Sequence, residues 1–199
     1  MTSGTDRRGG VDIGVIGGSG FYELFDTART VTVSTPYGVP SGAITIGEVN
    51  GRPVAFLPRH GLDHRFPAHQ INYRANLWAL RQFGVRRILA PCAVGSLRAD
   101  LGPGTIVVPD QVVDRTQGRI STFYDNGAVH VSFADPYCPA GAEAVGKAGA
   151  STGDRLTMGG TMVVIQGPRF SSRAESRGYA SAGWSIVNMT GMPEAVLSR

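Results

Sequence analysis

VDIGVIGGSGF, residues 11–21, carries the decisive local reading of this chain. An apolar, β-branched run empties directly into a loop where Gly17, Gly18 and Gly20 surround one hydroxyl, Ser19. A strand that ends in glycines is either a plain tight turn or an anion cradle. In a cradle the missing Cβ atoms let successive N–H groups approach an oxyanion and turn into a concave nest. Three commoner readings drop out on spacing. The dinucleotide fingerprint would need a third glycine where Glu23 stands, the P-loop would need a Lys-Ser/Thr pair, and the hydrolase elbow needs G-x-S-x-G. Dehydrogenase, kinase-like and elbow-hydrolase chemistry fall away with them, and Ser19 reads as a ligand to an anion, not a nucleophile.

Working outward, further apolar runs suited to strands lie at 43–49, 53–58, 87–92, 105–113, 129–133, 161–166 and 185–189, with 43–58 a hairpin about Asn50-Gly51. Ile71, Ala75 and Trp78 follow helical spacing in a segment closed by Gly84, and further helices are expected near 139–149 and 171–182. Pro193 stands where the first turn of another helix would begin. Alternating strands and helices predict an α/β fold: a single domain over 1–199 with a twisted, mixed central β-sheet flanked by helices. Residues 1–10 and the stretch 146–160 read as soft, the first of these as disordered.

Composition narrows the function classes. The 199 residues are 42% apolar, enough for one core. No stretch approaches the roughly 18 apolar residues of a membrane span, and the start lacks the apolar core of a signal peptide, so a cytoplasmic protein without membrane partners is expected. The two cysteines, Cys92 and Cys138, have neither paired nor metal-like spacing. The net charge of +4 comes from 19 basic residues, Lys147 the lone lysine, spread without a basic block. That dispersal argues against a nucleic-acid footprint.

Four expected strand-end loops carry the candidate chemistry: Gly17 to Gly20, Pro58-Arg59-His60-Gly61, Cys92 to Ser96, and Asn188-Met189-Thr190-Gly191. Ligands of open α/β sheets gather outside the carboxyl ends of strands, so these loops are expected to converge on one cleft. Hydroxyls, backbone donors, a guanidinium and an imidazole suit a phosphate dianion; a metal would want clustered carboxylates or histidines.

These loops also resemble a known family. GVIGGSGF (14–21), TPYGVPS (35–41), FLPRHG (56–61), NYRANLWAL (72–80), AVGSL (93–97), PDQVVDRT (109–116), ADPYCP (134–139), QGPRFSSRAES (166–176) and NMTGMPEA (188–195) are similar, in order and spacing, to the 5′-methylthioadenosine phosphorylases of the trimeric purine nucleoside phosphorylase superfamily. The resemblance implies a pentosyltransferase of purine and methionine salvage. In its reaction inorganic phosphate, a co-substrate, attacks the anomeric carbon of a nucleoside, with no resident cofactor and no metal. It implies phosphate binding by Ser19, Arg59, His60, Cys92, Ala93 and Thr190, with His60 and Thr190 placed at the reaction itself. It also implies that Met189 packs on the ribose, that Phe170 and Ser171 lie at the base, and that His130 reaches the 5′ end of a neighbouring subunit's substrate within a homotrimer. Cys92 stands where a Thr or Asn is frequent, and reads from its type as a small buried hydrophobe. His64 and His69 read as structural or rim residues, and Arg173 with Glu175 as an internal ion-pair network.

Members of the family continue past the equivalent of Arg199, so the resemblance implies a chain that is incomplete at its C-terminus and lacks acidic contacts to the purine. Alternatives therefore stay open. They are a purine nucleoside or methylthioinosine phosphorylase of other base preference, a catalytically impaired phosphate- or nucleoside-binding homologue, and a structural partner of an intact relative.

Overall fold

The apolar run at the head of the chain forms β1 (Ile13–Gly17), which pairs in parallel with β4 (Arg52–Pro58) on one side and β5 (Arg87–Leu89) on the other. This computed structural model describes residues 10–18, 24, 25 and 28–199. Within it the chain divides into two compact units, Met1–Ala93 and Val94–Arg199. Each unit has its own mixed sheet and helices, so the class is α/β.

In the first unit, β2 (Arg29–Val31) and β3 (Ile44–Val49) complete a five-stranded sheet in the order β2-β3-β4-β1-β5. The expected hairpin joins β3 to β4, with Val49 opposite Arg52. Asn50 (φ 50°) and Gly51 (φ 72°) both turn left-handed, the geometry that matches the twist of two joined strands. Alternation sorts the side chains. Val15, Val54 and Phe56 cluster on one face with Leu24 and Phe25. On the opposite face Gly14 sits under Val85 and under Leu80 of α1 (Tyr73–Gln82); a Cβ at Gly14 would stand 2.9 Å from Val85. Asn72 caps α1 by accepting from the Ala75 N–H, and its own amide donates to the Tyr37 carbonyl at 2.7 Å. Asn76, which helical spacing alone assigns no role, is buried and donates to the Ser41 hydroxyl.

In the second unit, β8 (Gln111–Arg115), β10 (Thr161–Ile165) and β11 (Ile186–Asn188) run parallel, with β6 (Gly95–Ser96) antiparallel at the edge. A separate parallel pair joins β7 (Ile106–Val108) to β9 (Leu156–Met158). Met162 and Val164 of β10 carry a core completed by Leu101, Ile186 and Met192. The helix α4 (Gly191–Ser198) starts against them: a Cβ on Gly191 would lie 2.5 Å from the Met162 methyl. The helix α2 (Pro139–Thr152) brings Gly149 onto Leu156, whereas α3 (Arg173–Ser181) has no fully buried residue and is started by a Ser172/Glu175 capping box.

Three sequence expectations change. The run 105–113 is two strands in two sheets, because Pro109 has no N–H for a ladder and Asp110 turns its carboxylate to the Gly160 N–H at 3.0 Å. Residues 129–133 form no strand: alternation without a pairing partner is not enough, and Val129 and Val131 are exposed. The stretch 146–160 is ordered, since α2 runs on to Thr152 and β9 follows. Residues 1–9, most of the segment expected to be disordered, lie outside the described residues.

Candidate active site

The candidate residues fall in both units: Ser19, Arg59, His60, Cys92 and Ala93 in the first, His130, Phe170, Ser171, Met189 and Thr190 in the second. Ser19 lies outside the described residues. Its neighbour Gly18 is buried at the carboxyl end of β1, where the parallel partners β4 and β5 also end.

There the sequence places a buried cation. Arg59 follows the last residue of β4 and is 0% exposed. Its backbone N–H donates to the Gly17 carbonyl at 2.8 Å, extending the β1–β4 ladder. Its guanidinium is a fork: Nη2 donates to the Ile16 carbonyl at 3.1 Å and Nη1 to the Pro91 carbonyl at 3.0 Å. Gly18 is needed because a Cβ would stand 2.7 Å from Nη1, 3.0 Å from the Pro91 oxygen and 3.4 Å from the Cys92 Cα. The structure thus brings Gly18, Arg59 and Cys92 together. Cys92 is half-buried and not sunk in a core, and Ala93 is exposed.

His60 is 8% exposed, and its Nδ1 lies 2.8 Å from the Phe66 carbonyl. A carbonyl oxygen only accepts, so Nδ1 carries the proton. A neutral ring then offers Nε2 as an acceptor, and donation from Nε2 belongs to the imidazolium. His64 is more than a rim residue. It stacks on His60 with ring centroids 4.2 Å apart and planes at 12°. Asp63 and His64 reach this position with φ 57° each, a left-handed backbone that Asp and His adopt more readily than other non-glycine residues.

In the second unit the parallel strands β10 and β11 also end in candidate loops. Asn188, the last residue of β11, accepts through Oδ1 from the N–H groups of Thr190 (2.7 Å) and Gly191 (2.6 Å). Thr190 is buried, and its hydroxyl lies 3.4 Å from the same oxygen, a long bond that lets the O–H turn elsewhere at little cost. Met189 packs over Gly167, where a Cβ would meet its sulfur at 2.7 Å. Phe170 is 85% exposed. Ser171 shares a 2.8 Å hydrogen bond with Ser176. His130 is exposed in the segment 116–138, which has no regular structure.

The expected Arg173–Glu175 network is replaced by a different pair. Glu175 receives a two-pronged contact from Arg169, with both distances 2.8 Å, and its own helix start adds the Ser172 N–H at 2.6 Å. Arg169, then the Ser172 N–H, pull the Glu175 carboxyl down from an ordinary 4.5 to about 2.

The sequence reading missed Arg119. Its guanidinium donates to the carbonyls of Met189, Met192 and Gln166. A lone arginine in an aperiodic segment carries no pattern that would have revealed it. Among the described residues no three His, Cys, Asp or Glu side chains gather as metal ligands, and no helix is long and apolar enough to cross a membrane.

Comparison with known proteins assigns the family. Residues 12–199 match the phosphorylase superfamily. An S-methyl-5′-thioadenosine phosphorylase of Mycolicibacterium smegmatis is 64% identical over 189 residues, 94% of this chain and 71% of the relative. A purine nucleoside phosphorylase of Streptomyces coelicolor is 56% identical, over 94% of this chain and 70% of its own length. Among solved structures, methylthioadenosine phosphorylase from Schistosoma mansoni in its apo form aligns with a TM-score of 0.91 at 38% identity, covering 95% of this chain and 76% of that one. A methylthioadenosine phosphorylase from an antarctic soil metagenomic library aligns at 0.89 and 47% identity, covering 94% and 68%. With the strand-end loops and the buried Arg59 in place, the chain belongs to the phosphorylase superfamily.

Proposed function

We propose that this protein catalyses phosphorolysis of 5′-methylthioadenosine, giving adenine and 5-methylthioribose 1-phosphate. The observation that carries the reading is Arg59: a fully buried guanidinium at the carboxyl ends of three parallel strands, beside a glycine that leaves room for close approach. A permanent cation taken out of water there favours a small dianion as its complement. The 64% identity to a relative named for this substrate supports the nucleoside.

In the reaction a phosphate oxygen forms a bond to the anomeric carbon while the bond from that carbon to purine N9 breaks. The bonding pair leaves with the base, which takes up a proton. Phosphate is itself the nucleophile, so a Ser-His-Asp set and a resident cofactor are not required. The protein's task is to hold phosphate below the sugar and to stabilise charge as an oxocarbenium-like state develops. Arg59 supplies fixed positive charge. His60, with Nδ1–H held by Phe66, accepts through Nε2 when neutral and donates from it when protonated. The Thr190 hydroxyl is suited to bridge phosphate and ribose, since its N–H is already taken by Asn188. In this reading Ser19, Cys92 and Ala93 complete the phosphate loop, Met189 packs on the ribose, and Phe170 and Ser171 face the base. His130 serves a neighbouring subunit of a homotrimer in the cytoplasm. The exposed Ile120, Tyr124, Val129 and Val131, in the same segment of the chain as His130, support such an assembly.

The Streptomyces coelicolor relative favours a second reading, a purine nucleoside phosphorylase acting on a 5′-hydroxyl substrate. Adenine release from methylthioadenosine, measured with and without phosphate and beside inosine and adenosine, separates the two. Phosphate-dependent release of adenine from the thioether substrate is expected. Absence of release together with no thermal stabilisation by phosphate would overturn both.

A further inference from the structure

We infer that Arg119 is a positioning residue that sets the geometry of the nucleoside-side loops in the second unit. Arg119 lies in the aperiodic segment 116–138. Its Nη1 donates to the Met189 carbonyl at 2.8 Å and to the Met192 carbonyl at 2.6 Å, and its Nη2 to the Gln166 carbonyl at 2.7 Å. The Gln166 and Met189 carbonyls lie just past the ends of β10 and β11, where the ladder stops and backbone oxygens need new donors, and the Met192 carbonyl lies in the first turn of α4.

The consequence is geometric. Thr190 lies between two carbonyls held by one nitrogen of Arg119, so its loop is clamped on both sides. The other nitrogen holds Gln166, the residue before Gly167, whose missing side chain makes room for Met189. A planar guanidinium presents its N–H groups at fixed angles, so it imposes one spacing between the Met189–Thr190 loop and the loop that leads to Phe170. The segment is also anchored beside the cation: the Gln117 N–H donates to Gln166 Oε1 at 2.9 Å. Arg119 touches backbone carbonyls and acts through the side chains those loops carry. Its effect on turnover rests on the phosphorolysis reading; its effect on the loops does not.

The test compares wild type, Arg119→Met and Arg119→Lys in the full chain, with Val163→Ala, buried in the middle of β10, as a variant that loosens the sheet without removing a hydrogen bond to these loops. In the ligand-free protein, hydrogen exchange in peptides covering 166–171 and 188–192 is expected to quicken several-fold in Arg119→Met, with α2 unchanged. The value of kcat for phosphorolysis of methylthioadenosine, per folded molecule, is expected to fall by about 10- to 100-fold, the penalty typical of displacing positioning groups by an ångström. Arg119→Lys, which keeps the charge and part of the bonding, is expected to recover most of that loss, and Val163→Ala to keep its kcat while melting lower. Wild-type exchange at both loops in Arg119→Met overturns the inference. So does an equal quickening across β8, β10 and α2, or a kcat loss of the same size in Val163→Ala. If wild type itself shows no turnover, the function reading fails, and the exchange comparison still decides the role of Arg119.

Discussion

Replacing Arg59 by lysine keeps the charge and removes the fork. The guanidinium reaches two carbonyls on different strand ends, Ile16 at 3.1 Å and Pro91 at 3.0 Å. A lysine ammonium on a single stem reaches one of them, and when that is the part-exposed Pro91 oxygen the Ile16 carbonyl is left buried without its donor. An unsatisfied buried carbonyl costs about 1–3 kcal/mol, which lowers the melting temperature of a chain this size by roughly 2–12 °C. Phosphate binding falls separately. Loss of one charge-assisted hydrogen bond is worth about 1.5–3 kcal/mol, so the phosphate needed for half-maximal effect rises about 10- to 150-fold. Both effects are read in one experiment, thermal melts of wild type and Arg59→Lys over a phosphate titration. Wild type gains stability logarithmically as phosphate exceeds its Kd, and the variant's curve should start lower and shift to higher phosphate. A nucleoside titration without phosphate should move far less. A lysine variant with wild-type melting temperature and wild-type phosphate midpoint would refute the assignment of Arg59 to a buried phosphate site.

Two further outcomes follow from neighbouring geometry. Gly18→Ala puts a methyl 2.7 Å from Arg59 Nη1 and 3.0 Å from the Pro91 oxygen, so the fork or the loop must retreat. Melts should show a loss of about 1–3 kcal/mol with a raised phosphate midpoint, and unchanged values would contradict the close approach. The Glu175 carboxyl, held at about 2 by Arg169 and the Ser172 N–H, should titrate by NMR well below 4.5 in wild type and return toward 4.5 in Arg169→Ala. A depressed folded value means that the helix-start support is present above 4.5 and disappears as pH falls through about 2. The N-terminus of α3 should therefore fray in that acid window in wild type. Equal titration in both proteins would dismiss the pair.

Much of the fold was legible because its causes are local. The β3–β4 hairpin follows from Asn50-Gly51, whose left-handed backbone suits the turn between two twisted strands. The helix α1 follows from its periodic apolar face and the Asn72 cap. Where local pattern needed a distant partner the reading failed. Residues 129–133 alternate correctly yet pair with nothing among the described residues, and 105–113 breaks at Pro109 because the two halves belong to different sheets.

The same division runs through the candidate site. Gly18, Arg59, His60, Met189 and Thr190 could be named from short loops at expected strand ends, while the roles expected of them came from the family resemblance. The sequence could not say that His64 stacks on His60, that Phe66 fixes the His60 proton on Nδ1, or that Arg169 and not Arg173 holds Glu175. Least of all could it reveal Arg119, whose partners lie 70, 73 and 47 residues away. Residue types and short spacings determine which groups can meet a phosphate. Which carbonyl each cation serves depends on where the strands end in space, and hydrogen bonds across such distances in the chain exist only once the sheets have formed.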